Sequence, residues 1–438
     1  MQRYINKYIV VIKLNFFGEI LLLHTSDIHI GAFADKSFRE ANIDALEEIA
    51  EYALNNDVKY LLISGDLFEN PRLENFELIK RTFIVFRRLK EKGVYTVLTP
   101  GSHDHSIMGR DHISILEAAG FAKIPKYEFI DDKLILHPME LEDYVFYAIP
   151  GLKNSIELEY ICGNRIIYKG IDNVDKPIIL LAHTGIDLDG FRLESYSERY
   201  GRIEIAQRVL DKIPAKIKYI ALGHIHLPYP LLDSGNLRAC YPGSPVGRDI
   251  MDLYETIILK KKFNKKRRFL LVDTSSEIPL VKSIWSDFNV CVEELEFDGK
   301  DVNQLITMIR SVLSKMVNSR FRALLVSVKQ PPQWINSVNR EIRDLERETN
   351  SYIRLVSKED HEEFKKFILR LPDVENIENL EREALHHYLK TKNLDISLDK
   401  LIELLNILSR TPEDQREADF VEELFKQVEA LLKEVVKK

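Results

Sequence analysis

Cysteine is scarce in this 438-residue chain: Cys162, Cys240 and Cys291 lie far apart, and none belongs to a Cys-x-x-Cys pair. A disulfide framework and a zinc knuckle are thereby excluded, and a reducing, intracellular compartment is the simplest reading. No apolar run approaches the roughly 20 residues that a membrane span requires, so no transmembrane segment is expected. Internal repeats and low-complexity stretches are also missing. So is an excess of positive charge: 69 acidic side chains against 62 basic ones give a net charge of −7. The chain therefore cannot coat nucleic acid through bulk charge, and a polyanion must find a local patch or a metal. The opening segment MQRYINKYIVVIKLNFFGEI lacks the clean apolar core of a signal peptide, because Lys13 and Glu19 interrupt it. Residues 1–19 read as a strand-bearing extension or a misassigned start. What is present, 45% hydrophobic and 30% charged residues, is globular composition. At roughly 150 residues per domain, the length suggests about three domains.

Five apolar, β-rich runs punctuate the first half: ILLLHTS, KYLLISG, VYTVLTPG, PIILLAHTG and KYIALGH. Each reads as a buried strand. Helical patterns, FREANIDALEEIAEYALNN and ENFELIKRTFIVFRRLKEKG, separate the first three, and Gly93 closes the second. The alternation predicts an α/β domain. ELEDYVFYAIPG, LRACYPGSP, YETIILKKKF and RRFLLVDTS are expected to add further strands, the later ones antiparallel. From about 285 to 358 a second alternation, NVCVEELEF, VNQLITMIRSVLSKMV, FRALLVSVKQ and SYIRLVSKE, predicts a small α/β domain. After a break at Leu371-Pro372-Asp373 the signals become wholly helical. Residues 359–375 then read as a linker and 376–438 as a helical tail. Its apolar stripes, which include Leu380, Leu401, Leu405, Leu424 and Val428, either pack on the body or face a partner.

The chemistry lies at the ends of the strands. Asp27-Ile28-His29 follows the first run, Gly65-Asp66 the second and Gly101-Ser102-His103-Asp104 the third; His183 follows the fourth and Gly223-His224-Ile225-His226 the fifth. In an open α/β sheet the carboxyl ends face one crevice, so these scattered residues converge. Carboxylates and imidazoles meeting at one point suit a pair of divalent first-row metals. The order Asp-x-His, Gly-Asp, Gly-Ser-His-Asp, His, Gly-His-x-His resembles the calcineurin-like metallophosphoesterases. SDIHIG, SGDLF and YIALGHIHLPYP followed by YPGSPV look most like the Mre11 (bacterial SbcD) DNA repair nucleases within that superfamily. The resemblance implies a two-sheet metallophosphoesterase sandwich flanked by helices over residues 20–280, a capping domain over 285–358, and a tail that docks on a Rad50-type ATPase. It implies that Asp27, His29 and His226 hold one metal and His183 and His224 the other, with Asp66 bridging. It further implies that His103 is catalytic, with Asp104 orienting it or its loop. Two manganese ions are the implied cofactors, with Fe2+, Mg2+ or Zn2+ as alternatives.

Two positions depart from the family. Ser102 stands where an Asn completes the second metal's shell, and a hydroxyl is a shorter and poorer ligand. Glu69 stands where these nucleases usually carry His, and a carboxylate facing a phosphodiester is repulsive unless turned away or protonated. From Lys260 to Arg268 seven residues are basic (Lys260, Lys261, Lys262, Lys265, Lys266, Arg267 and Arg268), either a DNA-backbone patch or a solvated turn. The leading expectation is a metal-dependent DNA nuclease component, exo- or endonucleolytic, in double-strand-break repair. It would be a homodimer in a prokaryotic cytoplasm, associated with the nucleoid, with a thermophilic archaeal source as one option. The competing classes are a DNA-end-binding scaffold with weakened activity owing to Ser102 and Glu69, and a phosphoesterase acting on small molecules or phosphoproteins.

Overall fold

The computed structural model describes residues 21–104, 111–188, 199–316, 318–329, 332–358 and 427. The first three β-rich runs become strands Leu21–Thr25, Tyr60–Ser64 and Tyr95–Thr99, paired in parallel in that order. Helices Ala41–Asn55 and Phe76–Glu91 make the crossovers. The second helix buries Leu78, Val85, Phe86 and Leu89, starts where Asn75 accepts from the Leu78 amide, and ends before Gly93, whose φ of +81° needs no side chain. On the other side of Leu21–Thr25, strand Arg267–Asp273 pairs antiparallel, and Leu280–Ser286 and Ser234–Asn236 complete a six-stranded sheet.

A five-stranded sheet lies against it, ordered Ala239–Cys240, Ile217–Gly223, Ile178–His183, Val145–Ile149 and Met139–Glu140. Leu22, Leu62, Val97 and Leu270 from the first sheet meet Phe146, Ile179, Leu181 and Tyr219 from the second, all buried. Each such side chain contributes about 1.5–3 kcal/mol on burial, so this shared core outweighs any individual loop contact and fixes where the strand ends lie. The fold is the expected mixed α/β sandwich. Among the described residues, no helix is long and apolar enough to cross a membrane.

Strands Val290–Phe297, Phe321–Val328 and Tyr352–Ser357 form a separate parallel sheet with helices Val302–Leu313 and Pro332–Thr349. It has its own core, in which Leu305, Ile309, Leu324, Val326, Ile342, Leu345 and Ile353 are buried. Backbone contacts divide the chain between Arg370 and Leu371. The extension 1–19, the linker 359–375 and the tail residues Leu380, Leu401, Leu405, Leu424 and Val428 lie outside the described residues.

One expected strand is wrong: YETIILKKKF belongs to helix Ile250–Phe263. Asp249 caps its start by accepting from the Asp252 amide, and Asn264 ends it in the left-handed conformation. Leu253, Tyr254, Glu255, Ile257, Ile258 and Leu259 are all buried, so burial runs around the helix and no polar face reveals the helical period.

Candidate metal centre

Asp27, His29, Asp66 and His224 all have positive φ, at 52°, 52°, 51° and 96°, an uncommon conformation for residues with side chains. Their surroundings enforce it. The amides of Asp27 and His29 donate to the carbonyls of Gly65 and Asp66 at 3.0 and 2.9 Å, zipping the first two loops together. Asn42 Nδ2 donates to the carbonyls of Ile28, His29 and Gly247, and Ser244 Oγ donates to the Asp27 carbonyl at 2.6 Å. The His224 amide donates to both carboxylate oxygens of Asp27, at 3.0 and 3.1 Å. Gly65 must be glycine, because a Cβ there would sit 2.1 Å from His183 Nδ1.

The donors do converge. Asp27, His29 and His226 offer ligand atoms within 4.8 Å of one another, as do Asp27, Asp66 and His183. His29 Nε2 lies 3.1 Å from His226 Nε2 and 3.7 Å from Asp66 Oδ2, while His183 Nε2 lies 3.3 Å from the same Asp66 oxygen. Asp66 thus lies near a histidine of each set, and Asp27 belongs to both. His224 joins neither group but flanks His183, with ring centroids 5.1 Å apart.

The outer partners of the histidines fix which nitrogen faces inward. His183 Nδ1 donates to the Ser64 carbonyl at 2.9 Å, and His224 Nε2 donates to the Tyr200 carbonyl at 2.8 Å, since a carbonyl can only accept. His226 Nδ1 donates to the Asp252 carboxylate at 2.9 Å. The inward nitrogens therefore carry lone pairs. That of His183 Nε2 is buried, has no hydrogen-bond partner, and points toward a carboxylate. Two electron-rich atoms held this way require a proton or a cation between them, so the donor set fits a divalent metal. Without one, burial lowers the His183 pKa but the Asp66 charge more than offsets it, raising the value to about 10. Burial and then the His183 charge push His224 down to about 4. Burial also opposes the Asp66 charge, yet His183 and His29 hold that carboxyl well below its usual range.

Glu69 faces His29 and His103, and the three offer ligand atoms within 4.8 Å of one another. Its Oε2 lies 2.8 Å from His29 Nδ1, but off the hydrogen-bond direction, so the two atoms attract as charges without a formal hydrogen bond. His103 donates from Nδ1 to the Glu69 carbonyl at 3.0 Å, and its amide donates to Asp66 Oδ1 at 2.8 Å. Asp104 is buried and accepts from the amides of Leu67, Phe68 and Gly101, so it ties the loops together rather than touching the His103 ring. Burial and then the Asp66 charge lift its pKa to about 7, against the pull of those amides. Ser102 lines a cavity of about 150 Å3 with Asp66, His103, Arg199, His224 and Arg248.

Three residues at this centre went unread in the sequence: Asp252, Arg199 and Arg248. Asp252 is buried and holds His226, Arg199 and the Arg248 amide together. A signal existed, since Asp252 and Glu255 interrupt an apolar run just after YPGSPV. The basic stretch needs correction as a surface patch. Arg267 and Arg268 are buried; Arg267 donates to the His226 and Asp252 carbonyls, and Arg268 to the Tyr241 carbonyl and Ser283 Oγ. Neither can reach a DNA backbone. Lys260, Lys261, Lys265 and Lys266 pair with Glu293, Glu294, Asp233 and Asp287, and Lys262 lies in the last turn of helix Ile250–Phe263.

Residues 20–228 match the family model for calcineurin-like phosphoesterase. The chain is 25% identical over 280 residues to the DNA double-strand break repair protein Mre11 of Aeropyrum pernix, covering 60% of each chain. It is 28% identical over 269 residues to the protein of the same name in Saccharolobus solfataricus, covering 60% of this chain and 63% of that one. With a component of the SbcCD nuclease of Rhodobacter capsulatus it shares 26% over 254 residues, covering 51% and 61%. The matched region thus spans about three fifths of the length of these relatives.

Proposed function

We propose that this chain, whose residues 20–228 form a calcineurin-like phosphoesterase domain, is a DNA nuclease that hydrolyses phosphodiesters with two divalent ions, manganese by preference. The observation that carries the reading is the buried Nε2 of His183, 3.3 Å from an Asp66 oxygen without a hydrogen bond, among converging imidazoles and carboxylates. In this reading Asp27, His29 and His226 would hold one ion, His183, His224 and Ser102 would hold the other, and Asp66 would serve both. The chemistry supplied by the bound ions is activation of water near neutral pH and neutralisation of phosphate charge. Asp252, Ser64 and Tyr200 keep the three ring tautomers fixed. His103, held by Glu69 and by its own amide bond to Asp66, stands over the crevice to stabilise or protonate the leaving oxygen.

The names of the Mre11 and SbcCD relatives support DNA as substrate and a role in break repair. We extend the reading to residues 20–280 as the nuclease domain, 285–358 as its cap and 376–438 as the segment that engages a Rad50-type ATPase. Phe76 (84% exposed) and Ile115 (51% exposed) give an apolar face suited to a homodimer. The test is degradation of end-labelled single- and double-stranded DNA in manganese. Cutting by the parent that is abolished by chelation and by His103→Ala is expected. An inert parent with an active Ser102→Asn variant would instead favour a DNA-end-binding scaffold.

A further inference from the structure

The loop that joins the second sheet to helix Ile250–Phe263 brings a guanidinium to the crevice. Its backbone is built for this placement. Gly247 has φ +111° and packs so tightly that a Cβ would sit 2.2 Å from Asp252 Cβ. Its carbonyl accepts from Asn42, the same amide that holds the Ile28 and His29 carbonyls, and the Arg248 amide donates to Asp252 Oδ2 at 2.7 Å. Arg248 is thus registered against the metal loop through Asn42, and against His226 through Asp252.

The guanidinium then meets His103: Arg248 Nη1 donates to Nε2 at 2.6 Å. Because Nδ1 of that ring donates to the Glu69 carbonyl, the Nε2 lone pair is the acceptor, and Arg248 occupies it. Beside it, Arg199 is 10% exposed; its Nη2 bonds to Asp252 and Asp249, while Nη1 is buried with no hydrogen-bond partner among the described residues. Both arginines line the cavity with Asp66, Ser102, His103 and His224. Two guanidinium groups thus line one polar cavity, one with an unused donor beside its pairs to Asp249 and Asp252, the other held by a neutral imidazole and by Asp249 at 3.5 Å, and both can take a further anion.

We propose that Arg248 and Arg199 form a phosphate subsite, in which a phosphodiester oxygen takes Arg248 from His103 and so frees Nε2 to accept a proton from water and pass it to the leaving oxygen. The inference rests on the nuclease reading above. An imidazole nitrogen is a neutral acceptor and a phosphate oxygen a charged one that can accept from a guanidinium in bidentate fashion, so the exchange favours phosphate. At 35% exposure the Arg248 side chain has room to move.

The test uses the full chain labelled with 15N-histidine, as parent, Arg248→Gln and Arg248→Lys, with inorganic phosphate as the probe. In the absence of phosphate, the His103 ring resonances of Arg248→Gln should differ from the parent's. Adding phosphate should move the parent's signals toward that position, with binding at least about tenfold weaker in Arg248→Gln and intermediate in Arg248→Lys. Identical His103 resonances in parent and Arg248→Gln, no phosphate binding by the parent, or unchanged affinity in the variants would each overturn the subsite. With manganese and bis(p-nitrophenyl) phosphate, the KM of Arg248→Gln should rise by about the same factor. A parent that binds phosphate through Arg248 yet cleaves no phosphodiester would sink the nuclease reading and leave the subsite standing.

Discussion

Glu69 is the residue at which sequence and geometry pull hardest against each other. Read along the chain it puts a negative charge where a phosphodiester must pass, yet its carboxylate faces His29 Nδ1 at 2.8 Å. Burial resists its charge, but the His29 imidazole holds its pKa below the ordinary value. At the proposed metal centre it would act as the carboxylate behind the His29 ligand. Glu69→Gln should weaken manganese affinity by about 10- to 100-fold, measured by calorimetry on the metal-free protein. A gain in affinity would mean the carboxylate opposes the site rather than supporting it. His183 leads to a proton count. In the metal-free protein its pKa is about 10, so near neutral pH its Nε2 carries a proton that a metal must displace. Metal uptake should release this proton, and affinity should rise by roughly tenfold per pH unit across the neutral range. Calorimetric heats that do not depend on the buffer's ionisation enthalpy would show that no proton leaves. The donors themselves were legible because each closes a β-rich run. Arg248 was not, because it lies in an irregular loop and carries no spacing of its own, whereas Asp252 was marked only by interrupting an apolar run.

At the scale of elements, a polar bridge joins the two sheets inside their apolar core. His24, on strand Leu21–Thr25, bonds from Nδ1 to the Tyr219 hydroxyl at 2.9 Å and from Nε2 to Ser64 Oγ at 3.1 Å. Burial, far more than any charge, depresses its pKa to about 3 from an ordinary 6.5. The folded protein thus refuses a proton that the unfolded chain accepts. The contribution of His24 to stability is constant above about pH 6.5 and falls by roughly 1.4 kcal/mol per pH unit below that, down to about pH 3. Urea denaturation from pH 7 to pH 4 should show this acid limb, and His24→Asn should flatten it at the expense of some stability at pH 7. An acid limb of unchanged slope would assign the loss to other groups. The strands that carry this bridge were readable as short, buried apolar runs, LLLHT, YLLIS and IKYIALG. Helix Ile250–Phe263 was misread because both its faces are buried. Helix Pro332–Thr349 was missed although Trp334, Ile335, Val338, Ile342 and Leu345 mark its stripe, because polar and charged residues fill the rest of the segment.

For the whole molecule the joint between sandwich and cap decides whether they unfold together. Phe38, fully buried, meets Phe33, Phe321 and Tyr352 at ring separations of 4.8, 5.9 and 5.4 Å. Around this cluster lie the ion pairs of Arg320 with Glu40 and Asp44, whose guanidinium is 54% exposed. An exposed pair contributes about 0–1 kcal/mol, whereas truncating a buried phenylalanine costs about 3–5 kcal/mol. The aromatic cluster should therefore dominate the coupling. The two tryptophans report on the two sides separately, because Trp285 lies on a sandwich strand and Trp334 on a cap helix stacked near Phe297. Fluorescence of Trp285→Phe and Trp334→Phe backgrounds should give coincident urea midpoints in the parent. Phe38→Ala should separate them, with the cap reporter moving first, while Arg320→Ala should leave them together. Because Phe33 lies four residues past His29, the split should also loosen the metal loop and weaken manganese binding in Phe38→Ala. Coincident, unshifted midpoints in that variant would show that cap and sandwich are coupled by something other than this cluster.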